Sequence, residues 1–144
     1  MAKNNKSEAL AALGFLVRFL AALALVLFTY NPSGHSAYHW IAAAISASSF
    51  GPVHLLLIGV LLAGWAVFWI ATWRSLDALG VALLAIILGA IVWGLVRIGW
   101  IALDSVTSTT WVVLVLLAVI LTIGVSWSHF WRRITGQVTI EGDN

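Results

Sequence analysis

The chain is expected to fold as an all-α integral membrane protein: a compact four-transmembrane-helix bundle with a short outer interfacial helix between spans one and two. Three observations predict this. The hydrophobic share is 62% and the charged share only 8% of 144 residues. The mean hydropathy is +1.07. The apolar residues gather into four long runs, and nearly every formal charge lies outside them or at their ends. A water-soluble domain of this size leaves much of its surface in water, so such a composition calls for lipid as solvent. Lipid offers the backbone no partners, and apolar runs of about 20 residues then form helices that cross roughly 30 Å of hydrocarbon.

The elements follow in order. Span one covers about 10–30, from Leu10 to Tyr30. Arg18 interrupts its apolar stretch, and Phe28-Thr29-Tyr30-Asn31 lacks a small-x-small cleavage pattern, so the segment reads as an uncleaved anchor. Asn31-Pro32-Ser33-Gly34 is a turn signal. Residues 37–49 look helical but are too short to span, with Trp40, Ile41, Ala44 and Ile45 on one face, as suits an interfacial helix. Span two covers 53–73, directly after Gly51-Pro52. The short link Arg74–Asp77 forces an antiparallel helical hairpin into span three, at 78–98. Asp104, Ser105 and Thr107 to Thr110 supply caps for span four, at 111–131. The polar tail 134–144 reads as mobile, with a short alternation at Gln137-Val138-Thr139-Ile140. The whole chain, 1–144, forms a single membrane domain.

Lys3, Lys6, Arg18, Arg74, Arg132 and Arg133 fall on one side of this arrangement, and only Arg97 falls on the other. The positive-inside rule then places both termini in the cytoplasm. The net charge of +2 reflects these anchoring residues, and no basic patch outside the membrane suggests nucleic acid. The absence of cysteine excludes disulfides, thiolate metal sites and redox thiols. There is no Ser-His-Asp spacing, no His-Glu-x-x-His and no Gly-rich phosphate loop, so the chain reads as non-enzymatic. The absence of an embedded acid and of a broken span argues against a transporter.

Five groups of residues carry what functional signal there is. Arg18 lies about two turns into span one. It is expected to snorkel to the inner interface and pair with Asp77 or with lipid phosphate, because an unpaired charge at the bilayer centre costs about 2.5–3.5 kcal/mol on insertion scales. Trp65, Trp69 and Trp73 recur every four residues on span two, among nine tryptophans. Belt anchoring accounts for Trp73 but not for Trp65, so this face suggests contact with a partner or lipid. Ala78, Ala82, Ala85 and Gly89 form a small-residue stripe on span three that suits close helix contact, and Ala82, Ala85 and Gly89 are expected to meet a partner or lipid. Trp93, Arg97, Trp100 and Asp104 form an outer interface cluster if the helix continues that far. His35, His39 and His54 all fall at the outer face. They are weak metal candidates, and interfacial hydrogen bonding is the simpler use, so no metal is assigned.

The run Thr29-Tyr30-Asn31-Pro32-Ser33-Gly34-His35-Ser36-Ala37-Tyr38-His39-Trp40, with Trp73-Arg74-Ser75-Leu76, Ser126-Trp127-Ser128-His129 and Gly136-Gln137-Val138, resembles an uncharacterised family of small four-span proteobacterial inner-membrane proteins. The resemblance covers nearly the whole chain. It implies a Gram-negative inner membrane and carries no activity, ligand or catalytic residue.

With little chain outside the membrane, the expected function is assembly, as accessory subunit of a larger complex or as a homo-oligomer. Partners are membrane lipids and other integral membrane subunits or self. No cofactor is predicted. The alternative is a binder of a quinone, pigment or lipid against the Trp65/Trp69 face, and a weaker one is a small ion or proton conductor using Arg18 and Asp77.

Overall fold

A computed structural model describes the backbone of residues 1–134 and the side chains of 1–127. The expected tail lies outside the described residues. The fold is all-helical: α1 Ala2–Thr29, α2 Ala37–Ser46, α3 Pro52–Arg97 and α4 Val106–Ile134. Three of these, α1, α3 and α4, are long and apolar enough to cross a membrane.

Helix α1 starts well before the apolar run because Lys3, Lys6, Glu8 and the alanines are good helix formers. It ends at Thr29, and Asn31 organises the following loop. Its side-chain amide donates to Leu27 O and to His35 O, each at 3.0 Å, and its Oδ1 accepts Ser33 N–H at 3.0 Å. The expected interfacial helix is α2. It closes with Ser48 N–H on Ile45 O and Ser49 N–H on Ala44 O. Ser48 adopts φ 53 to make this turn, a left-handed position that glycine usually fills. Helix α4 is opened by Ser105, whose hydroxyl accepts Ser108 N–H at 3.1 Å.

Helix α3 has 46 residues and is broken only at Asp77, with φ 56 and ψ 172. Its course follows from its contacts. Gly64 faces Leu25, and Gly124 faces Thr72. Ala22 and Val26 share one core with Leu114, Ala118 and Leu121. These registers make α1 antiparallel both to the first arm of α3 and to α4, so that first arm and α4 run the same way. At 1.5 Å per residue, Val106 stands about 27 Å from the Gly124 level, while a straight α3 would carry Arg97 about 37 Å from that level in the opposite direction. Residues 98–105 reach about 30 Å at most when extended. Helix α3 therefore folds back at Asp77. The antiparallel hairpin expected from the sequence is present, but its turn is the single residue Asp77 rather than the four residues Arg74–Asp77. Asp77 Oδ1 accepts the N–H of Ala78 at 2.8 Å, opening the second arm. A Cβ on Gly80 would stand 3.2 Å from Leu76 Cβ, so glycine makes room for the bend.

Helix α4 is the hub. From Leu116 to Trp127 every residue is buried or half-buried, with other helices around it. The second arm of α3 packs by one face only, the half-buried Val81, Leu84, Leu88, Val92 and Leu95. Phe19, Leu23, Leu27, Trp65, Phe68 and Leu117 complete the core.

Candidate functional site

The tryptophan face divides. Trp65 turns into the bundle, packs on the core and donates its Nε1–H to Thr29 Oγ1 at 2.9 Å. Thr29 in turn donates to Leu25 O at 2.7 Å, so its hydroxyl is used in both directions. Trp69 and Trp73 point outward, 55% and 47% exposed, with rings stacked at 5.6 Å. The expectation of one common face is corrected. Each step of four residues advances about 40° beyond a full turn, and the first step from Trp65 already brings Trp69 to the outer side. The wall expected to hold a quinone or pigment against Trp65 and Trp69 is therefore not a single surface.

Arg18 and Asp77 make no ion pair with each other among the described residues. The Asp77 carboxylate serves its own turn. The half-buried Arg18 side chain lies along α1, its Nη1 3.7 Å from where a Cβ on Gly14 would sit. It thus runs one turn toward the N-terminus, the snorkelling direction that helical side chains favour. The conductor reading loses the charge pair it needed.

The small-residue stripe does not pack inside the chain. Ala78, Ala82, Ala85 and Gly89 are all exposed on a flank of the second arm, and a Cβ on Gly89 would meet nothing within 4 Å. The contacts that small residues do permit are elsewhere, at Gly64 against Leu25 and Gly124 against Thr72.

The outer cluster does not assemble. The helix ends at Arg97 because Gly99 takes φ 80 and Trp100 N–H returns to Leu95 O at 3.0 Å, a glycine-closed helix end. Asp104 therefore leaves the helical face shared by Trp93 and Arg97, and its Oδ1 accepts the Ser108 hydroxyl at 3.4 Å. Trp93, Arg97 and Trp100 remain exposed.

At the end where α1 closes and α3 opens, the histidines form a different arrangement from a metal site. Among the described residues no three His, Cys, Asp or Glu converge. His39 and His54 each stand three residues after the residue that opens a helix, Ser36 for α2 and Gly51 for α3. This is where Glu or Gln completes a capping box. His54 Nδ1 accepts Gly51 N–H at 3.1 Å, and His39 Nδ1 shares a hydrogen with Ser36 Oγ at 2.7 Å. His54 thus makes the capping-box bond to the backbone of the opening residue, whereas His39 meets the Ser36 side chain instead. Both rings are also stacked, His54 on Trp40 at 4.0 Å and His39 on Tyr30 at 5.5 Å. His35 bonds Ser33 O at 3.1 Å. The sequence predicts interfacial hydrogen bonding from these histidines but not their place at the helix starts, for which the Ser-x-x-His and Gly-Pro-x-His spacings were the available signal.

Between the end of α1, the 34–36 loop, α2 and α3 lies an open cleft of about 470 Å³. The size is typical of small-molecule sites. At the opposite end, the hydroxyls of Thr72, Ser75 and Ser126 are buried without a partner. All three lie on α3 and α4 near the Thr72–Gly124 contact. Thr29, Ser46, Thr110 and Thr122 instead donate to the carbonyl four residues back.

No curated protein and no solved structure matches the chain. A family model of unknown function does match, and it runs over residues 13–144, which include the α1–α2 loop, the cleft and all of α3 and α4. The chain therefore belongs to the family of unknown function DUF6524.

Proposed function

We propose that the protein is a non-enzymatic membrane subunit that works by assembly, against a larger membrane complex or against copies of itself. The carrying observation is the second arm of α3. Its packed face uses Val81, Leu84, Leu88, Val92 and Leu95, and its small residues Ala82, Ala85 and Gly89 lie open on a flank. In lipid, helices associate where small residues let backbones approach, since burial of apolar surface gives little gain there. A flank that serves no contact within the chain has the shape for a helix from elsewhere. The outward Trp69–Trp73 pair adds a second apolar feature on the neighbouring arm.

The setting we infer is the inner membrane of a Gram-negative bacterium. The two arms of α3 act as separate spans, because 46 helical residues would reach about 69 Å, more than twice the hydrocarbon thickness. The distribution of Lys and Arg supports four passes with both termini cytoplasmic.

The test is the mass of the protein extracted from native membranes in a mild detergent, by light scattering, for the native chain and for Gly89→Leu. The native chain is expected in a defined assembly, and Gly89→Leu is expected to shift it to monomer with helicity unchanged. A monomeric, partner-free native chain would refute the reading, as would a Gly89→Leu variant that assembles normally.

A further inference from the structure

The cleft beside α2 is divided by polarity. Phe28, Trp40 and Leu57 contribute apolar walls, and His35, Ser36 and His39 contribute the polar rim. Leu57 is five residues into α3, about 7.5 Å below its start at 1.5 Å per residue. Phe28 is the penultimate residue of α1. The apolar part therefore lies on the membrane side and the polar part on the loop side, so the long axis of the cleft follows the helices. That is the layout of an amphiphile standing in one leaflet.

The polar rim is held in place before any ligand arrives. His39 is fixed by Ser36 through Nδ1, by Tyr30 stacked on one face and by Tyr38 at its edge. Its second ring nitrogen is not used by any of these contacts. Ser36, only 8% exposed, spends its hydroxyl on His39 and gives α2 no side-chain cap. No carboxylate lines the cleft. The rim thus lacks any charged acceptor, and an anionic head meets no like charge there. A preorganised polar end joined to an apolar trough is the usual construction of a specific site.

We propose that this cleft binds one phospholipid of the surrounding leaflet, its phosphate at the His35–Ser36–His39 rim and the upper part of an acyl chain against Phe28, Trp40 and Leu57. This site is separate from the assembly flank on α3 and does not depend on it.

The test is native mass spectrometry of the full chain, delipidated in detergent and given defined probes. The probes are dioleoylphosphatidylglycerol, dioleoylglycerol with the same chains and no phosphate, and inorganic phosphate. One phosphatidylglycerol per chain is expected to be retained at least tenfold better than dioleoylglycerol, and inorganic phosphate is not expected to displace it at equal concentration. Leu57→Trp fills the apolar end and should lower retention at least tenfold while leaving His39 untouched. His39→Phe keeps the aromatic contacts and should remove the preference for the phosphate-bearing lipid. Val60→Trp, on the exposed face of α3, is the control and should change neither. Equal retention of the two dioleoyl lipids would overturn the proposal. So would displacement by inorganic phosphate, which would assign the rim to a free anion, or unchanged retention in Leu57→Trp with circular dichroism showing a folded protein.

Discussion

Gly124→Ala is the substitution that the packing most strongly opposes. A Cβ added at Gly124 would stand 2.7 Å from Thr72 Cβ, with Thr72 Oγ1 and Cγ2 nearer still. Thr72 cannot move aside, since it is 4% exposed and held between α3 and α4. The helices must then separate by about 1 Å to restore ordinary carbon–carbon contact of 3.5–4.0 Å. Overpacking of this kind costs about 1–3 kcal/mol, and removal of a mid-helix glycine returns only about 0.5–1 kcal/mol. A net loss of about 1–2 kcal/mol is expected. Gly89→Ala is the matched control. A Cβ there meets nothing within 4 Å, so only the propensity gain remains and the change should be neutral or mildly stabilising. Equilibrium unfolding in mixed detergent micelles, followed by tryptophan fluorescence, measures both. Thr72→Ala removes the two nearest atoms but leaves Cβ, so it should recover part of the Gly124→Ala loss. A Gly124→Ala protein as stable as the native chain would refute the α3–α4 contact. Equal destabilisation at Gly89 would show that the two flanks are not distinguished.

Three further outcomes follow from the polar contacts. Arg18→Ala and Asp77→Asn are expected to combine additively, with a coupling below about 0.5 kcal/mol in a double-mutant cycle, because the carboxylate serves its own turn; a coupling above 1 kcal/mol would restore the ion pair. Trp65→Phe and Thr29→Val should instead couple by about 0.6 kcal/mol, the typical worth of a hydrogen bond between membrane helices, and strict additivity would count against that bond. Asn31→Asp replaces the amide that donates to Leu27 O and His35 O; a loss of about 2 kcal/mol is expected for two hydrogen bonds, measured as faster proteolysis in the 31–36 loop, and an unchanged cleavage rate would refute the role.

Element type and order were legible in the sequence because lipid leaves one solution for each apolar run. The short α2 followed from the Asn31–Gly34 turn and Gly51-Pro52, and the cap of α4 from Ser105. Side-chain direction was not legible. The i+4 spacing of Trp65, Trp69 and Trp73 looks like one face, yet the drift of each step and the demand of Thr29 for a donor turn Trp65 inward. The alanines and Gly89 on the second arm read as a close contact for a partner or lipid and lie on an exposed flank, yet their types alone do not set that direction, since a helix flank of this kind faces inward or outward with the same residues when the solvent is as apolar as the core. Arg18 and Asp77 were expected to pair, yet Asp77 serves its own turn and Arg18 lies along α1, because depth follows from chain position and contact does not.

One constraint links the outlying features. In the membrane each polar group needs a partner close by in its own chain, since water is not at hand. Thr29, Thr110 and Thr122 turn back to their own helices. His39 and His54 stay near the residues that open their helices. Arg18 runs along α1 over Gly14, and Asp77 holds its own turn. Apart from the buried hydroxyls of Thr72, Ser75 and Ser126, which lack a partner, these polar side chains are engaged locally and do little to bind helices to one another. That task falls to close contact at Gly64 and Gly124, joined by the long-range side-chain bond between Trp65 and Thr29. The bundle is thus held most firmly where α1, the first arm of α3 and α4 meet. The second arm, attached by one face and the Asp77 turn, is the element with surface to spare. An assembly partner that docks on it would complete the packing that the chain alone leaves unfinished, without disturbing the contacts that hold the other three.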